Sequence, residues 1–191
     1  SQGIGDGYLT NGKPITEENV LELLRQIEKD WPTDIAWGTR NTPNTNKNEV
    51  PSAEADHIML RYGTSSVYGC GGYASMVSSL IFGDKANAGR KLETLSQIRP
   101  GDIIFLIRNG DRKLWHVVIA LESPNNTDSF RITEGNAGGT IQWPDRQNPY
   151  SSMENLDCYR GENKDYHLEV WTRYPESVPY TGNSTEVWPY S

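Results

Sequence analysis

A chain of 191 residues is long enough for one domain with a substantial core, and with six Trp and ten Tyr it is too aromatic to be a disordered segment. The net charge of -7, with 18 scattered Lys and Arg, argues against nucleic acid and against electrostatic capture by anionic membranes. The longest apolar stretch, residues 114–121, is interrupted by His116 and falls short of the roughly 20 residues a membrane span needs, so no membrane insertion is expected.

The start, Ser1-Gln2-Gly3-Ile4-Gly5, has no basic residue followed by an apolar run and predicts no secretion signal within the chain, leaving an upstream leader or domain open. Residues 1–15 read as an N-terminal extension. Over residues 16–30, Val20, Leu21, Leu24 and Ile27 recur at helical spacing behind Thr16 as N-cap, which predicts an amphipathic helix. Residues 38–51, rich in Asn, Thr and Pro, read as a surface loop, and residues 52–62 as a short helix stopped by Gly63. A third helix begins near Cys70, with Tyr73, Val77, Leu80 and Ile81 building one buried face and Gly83 ending it. Past Pro100-Gly101 the pattern turns extended: residues 103–107, 114–121, 130–133 and 166–172 read as strands, with Asn109-Gly110 as the clearest hairpin signal. Helices first and an antiparallel meander second predict an α+β domain over residues 16–174, followed by a Pro- and aromatic-rich arm over 175–191.

A thiol at a helix N-terminus faces unpaired N–H groups and the positive end of the helix dipole, which favour thiolate. Cys70 occupies such a position. Gly69, Gly71 and Gly72 leave the backbone beside it uncovered, so a substrate carbonyl can approach and meet the Cys70 N–H as an oxyanion donor. The plainer reading is a small buried cysteine in a glycine-rich turn, and the local residues weigh the two equally.

His116 lies within an apolar strand, sharing a face with Val118 and Ala120, where a lone histidine is more often structural. The following strand changes that balance. If the turn between them centres on Asn125-Asn126, His116 stands opposite Gly135, and a slip of one position brings Glu134 or Asn136 to it. Either side chain accepts an imidazole N–H and frees the other ring nitrogen to take a proton from a thiol.

These residues fall into four runs: Gly69-Cys70-Gly71-Gly72-Tyr73-Ala74, Ile98-Arg99-Pro100-Gly101-Asp102-Ile103-Ile104-Phe105, Trp115-His116-Val117-Val118-Ile119 and Ile132-Thr133-Glu134-Gly135-Asn136. Over residues 62–143 they resemble, in order, the CHAP and NlpC-type families of bacterial cysteine hydrolases, and Glu-Gly-Asn resembles CHAP more closely. The resemblance implies a papain-like α+β fold with N-terminal helices packed on an antiparallel sheet. It also implies a catalytic set of Cys70, His116, Glu134 and Asn136, with amide hydrolysis in bacterial peptidoglycan by a secreted or wall-associated protein. Gly71 departs from the Ser frequent at that position in the families, and the first sixty residues match neither.

Around the motif, Trp115, Trp143, Gly71, Gly72 and Tyr68 are candidates for substrate binding. Trp143, between the Glu-Gly-Asn element and Pro144, is expected in the cleft, while Tyr73 is expected in the core. Asp102 is expected to cap the turn after Pro100-Gly101. Cys158, with no base beside it, is expected to be dispensable. With no His-x-x-x-His or Cys-x-x-Cys spacing, neither metal nor other cofactor is expected. The expected partner is peptidoglycan or a peptide, bound by a monomer whose wall docking is left to a separate domain. Two alternatives stand beside this reading: a protein-directed protease, deamidase or transpeptidase with the same site, and an inactive sugar-binding module.

Overall fold

The computed structural model describes residues 7–38, 68–83, 89–123, 131–145, 165–180 and 188. The helix expected over residues 52–62, His57, Tyr62 and Cys158 lie outside them. Among the described residues two α-helices, α1 (Glu17–Asp30) and α2 (Gly69–Phe82), precede or flank one antiparallel sheet. Its strands are β1 (Arg90–Lys91), β2 (Ile103–Arg108), β3 (Leu114–Ala120), β4 (Ile132–Ala137), β5 (Thr140–Gln142) and β6 (Tyr166–Thr172), in the order β1-β6-β2-β3-β4-β5. The α+β class read from the order of elements is the class observed. None of the described helices is long and apolar enough to cross a membrane.

The sequence pattern fixes α1 closely. The Thr16 side chain accepts the Asn19 N–H at 3.1 Å, and Val20, Leu21, Leu24 and Ile27 form the buried stripe. In α2 the expected single face gives way to burial on nearly every side, with Gly71 through Ser79 all enclosed and Leu80 only partly so. The reason is position, since α1 and the strands β3 and β4 all pack against α2. Gly83 ends the helix at φ 94, its N–H reaching Ser79 O at 2.9 Å.

Of the residues expected as an extension, the described ones from residue 7 on pack against the domain. Leu9 and Ile15 are buried in the main core, and Thr10 satisfies carbonyls in the last turn of α2 through its N–H to Ile81 O (3.0 Å) and its hydroxyl to Leu80 O (2.6 Å). Described residues of the C-terminal arm also pack on the domain. Trp188 stacks on Trp143 at 5.5 Å, and Arg99 lies 4.0 Å over the Tyr174 ring while holding Val178 O at 2.8 Å.

Strands β2 and β3 form the hairpin signalled by Asn109-Gly110, with Ile104 facing Val118 and Phe105 facing Val117. Beyond the Leu106–His116 pair the register slips to Ile107–Leu114, so Trp115 is the extra residue of a bulge directly before the histidine. Val117 and Ile119 point into the main core beneath the helices, while Val118 and Ala120 join a second cluster with Ile104, Leu168 and Val170. Asp102 caps its turn as expected, accepting the Arg99 N–H at 2.8 Å.

Candidate active site

The turn that carries Cys70 is built by backbone contacts. Tyr68, the N-cap, offers no side-chain cap, and Gly69 begins α2 at φ 70, a conformation glycine adopts without strain. Its N–H is held by Gly38 O at 2.7 Å. Cys70 follows as the second helical residue, a free and partly buried thiol whose own N–H has no acceptor within the helix.

Burial alone would raise the Cys70 pKa, yet it lies below the ordinary thiol value. The hydrogen bond and charge of His116, with the N–H groups of Val117 and Gly71 aimed at the sulfur, outweigh the burial. The imidazole moves the opposite way. Burial would lower it, but hydrogen bonds to Cys70 and Glu134 and the charges of both raise it to about 9. The shifts are opposite in sign and share one hydrogen bond, so each group favours the charged form of the other, thiolate beside imidazolium.

His116 Nε2 donates to Glu134 Oε1 at 3.1 Å, and Glu134 is fully buried. That contact leaves Nδ1 for the sulfur and fixes the ring between carboxylate and thiol. Glu134, Gly135 and Asn136 all fall within β4. Its pairs with β3, Ile119–Thr133 and Ala120–Ile132, run one position from the register drawn on a turn centred at Asn125-Asn126. Gly135 makes the approach possible, because a Cβ there would stand 2.4 Å from Tyr73 Cβ, one turn beyond Cys70 on α2. Tyr73 is a core residue, its hydroxyl 2.7 Å from Thr133 Oγ1.

The remaining sequence candidates divide. Asn136 does not hold the imidazole. It sits at φ 60, where Asn is among the few residues tolerated, and bends β4 toward the Gly138-Gly139 turn. Gly71 and Gly72 are buried, and neither presents a donor to a substrate: Gly71 N–H faces the sulfur and Gly72 N–H is bound to Tyr68 O at 3.1 Å. Trp143 is corrected from cleft to core. Only 3% exposed, it donates Nε1–H to Trp31 O at 2.8 Å beneath Trp188. Trp115 does reach the surface, 53% exposed, edge-on to the His116 ring at 6.0 Å and tilted against Tyr166 at 5.5 Å. Tyr68 is half-buried at the helix start. His167 is occupied elsewhere, with Asn109 Oδ1 at 2.6 Å and Glu169 Oε1 at 3.3 Å.

The sequence reading missed Trp37, which is fully buried, touches Tyr73 ring to edge at 5.6 Å and donates Nε1–H to Gly69 O at 2.8 Å. No local pattern marks it, because its partners lie far along the chain. Comparison with protein-family models, with curated proteins and with solved structures finds no match for this chain.

Proposed function

We propose that this protein is a papain-like cysteine hydrolase that cleaves amide bonds, with bacterial peptidoglycan as its substrate. One observation carries the reaction class: a free thiol at a helix N-terminus is hydrogen-bonded to an imidazole whose far nitrogen is held by a buried carboxylate. The resemblance of the four motif runs to CHAP-type enzymes supports the substrate, and so does the exposed Trp115 beside the base, a ring able to pack against substrate.

In this reading the Cys70 thiolate attacks the carbonyl carbon, and the oxygen takes the negative charge beside the Cys70 N–H. The tetrahedral intermediate collapses as the C–N bond breaks, His116 passes its proton to the leaving amine, and a thioester remains on Cys70. Neutral His116 then takes a proton from water, hydroxide attacks the thioester carbon, and the C–S bond breaks to return thiolate, imidazolium and a carboxylic acid that loses its proton to solvent. Glu134 holds the ring in line and stabilises its charged form throughout.

The test is mass spectrometry of purified peptidoglycan incubated with wild type and with Cys70→Ala, alongside casein. Wall fragments from wild type alone are expected, and their ends identify the bond. Casein cleaved with the wall untouched would move the enzyme to protein substrates, and products undiminished in Cys70→Ala would end the cysteine mechanism.

A further inference from the structure

Residues 34–38 run beside the edge strand β5. Asp34 N–H reaches Ile141 O at 2.9 Å, Ile141 N–H reaches Ile35 O at 2.9 Å, Ala36 bridges Thr140, and Trp37 N–H reaches Gly139 O at 2.9 Å. This ties the segment to the hairpin whose other strand carries Glu134. Its last two residues then turn to the nucleophile, through Trp37 Nε1–H to Gly69 O (2.8 Å) and Gly69 N–H to Gly38 O (2.7 Å). The Trp37 ring lies edge-on to Tyr73, and its Cδ1 is 3.2 Å from where a Cβ on Gly135 would stand. One fully buried side chain thus touches the residue before Cys70, the helix turn after it and the residue after Glu134.

We propose that Trp37 is a positioning residue that sets the separation of Cys70 from the His116–Glu134 pair, an inference resting on the hydrolase reading of that site. Gly69 has no side chain of its own to anchor it, so the indole N–H and the Gly38 carbonyl fix where α2 begins. Hydrogen bonds weaken steeply with distance and angle, and a small shift of Gly69 loosens the Cys70–His116 contact that holds the proton on the ring. Trp143 belongs to the same aromatic cluster, but its hydrogen bonds and ring contact go elsewhere, to Trp31 O, Thr33 Oγ1 and the Trp188 ring.

The experiment is the pH-rate profile of Cys70 alkylation by iodoacetamide, resolved by peptide mass spectrometry, with thermal melts of each protein. Trp37→Phe keeps a ring and removes the N–H. Its acidic midpoint is expected to move up by about one unit, so that Cys70 reacts up to about tenfold more slowly on the acidic limb of the profile. Trp143→Phe is expected to melt earlier and keep the wild-type profile. A Trp37→Phe profile superimposed on wild type, or an equal shift in Trp143→Phe, would overturn the proposal. If Trp37→Phe does not fold, the benzothienyl analogue of Trp37, with sulfur in place of N–H, faces the same two outcomes. A wild-type Cys70 that reacts as an ordinary thiol would overturn the hydrolase reading and this inference with it, a result separate from an activated wild type left unmoved by the variants.

Discussion

At the scale of single residues, the account rests on where one proton sits. Cys70 is lowered and His116 raised to about 9, so the pair is ionic between those limits and is lost on both sides. Turnover against pH should be a bell whose alkaline limb falls as His116 loses its proton near 9, which a kcat/KM profile on wall fragments checks. Glu134→Gln keeps the shape and removes the charge that stabilises the imidazolium. It should lower kcat by roughly a hundredfold or more, yet less than Cys70→Ala, and bring that alkaline limb to lower pH. Asn136→Gly should leave kcat within about threefold, because φ 60 suits glycine and no contact to His116 is lost. Equal effects of the two substitutions would place the orienting role elsewhere. Cys70, His116 and the pair of acceptors were legible because helix start, strand and hairpin each leave a local pattern. Choosing Glu134 over Asn136 was not: the observed pairs Ile119–Thr133 and Ala120–Ile132, continued, would set Asn136 opposite His116, and the Glu134 contact is made beyond those pairs, where hairpin arithmetic no longer applies.

At the scale of elements, the α1 stripe, the α2 start and stop and the β2–β3 hairpin follow from spacing and turn chemistry. The β4–β5 hairpin was missed although it carries a readable signal. Gly138-Gly139, both at positive φ, form a two-residue turn between Ala137 and Thr140. Ending the strand at residue 133 hid it. Gly135 gives a sharper test of how β4 meets α2. Gly135→Ala would put a methyl 2.4 Å from Tyr73 Cβ, so either strand or helix must move, and Glu134 with it. A melt destabilised by roughly 1–3 kcal/mol together with a slower Cys70 alkylation is the expected result. Trp143 shows the limit of reasoning by proximity in sequence. It follows the motif by a few residues, but β5 carries it away to stack on Trp188, and Trp143→Ala should cost about 3–5 kcal/mol of stability.

At the scale of the whole molecule, contacts between distant segments decide what sequence reading leaves open. Thr10 closes the end of α2, and of the C-terminal arm Val178 is held by Arg99 and Trp188 stacks on Trp143, so these described residues are anchored to the domain. Beneath the arm, burial raises Asp102 to about 7, against the hydrogen bonds of Thr172 and the Arg99 N–H and the charges of Arg99 and Arg90. An acid raised on folding binds its proton more tightly in the native state, so its contribution is present in full below about pH 4 and is lost as the pH climbs through about 7. Over that window the Tm difference between wild type and Asp102→Asn should shift steadily against wild type as pH rises; a difference independent of pH would show that the carboxyl does not titrate there. The central claim is narrower, that Cys70 is held as a thiolate by His116 in the free protein. The direct measurement is the thiolate ultraviolet absorbance of wild type minus Cys70→Ser across pH, which cancels any signal from Cys158. The difference signal is expected to emerge below the ordinary thiol range, whereas a signal that emerges only near about 8.5 would contradict a thiolate held by His116.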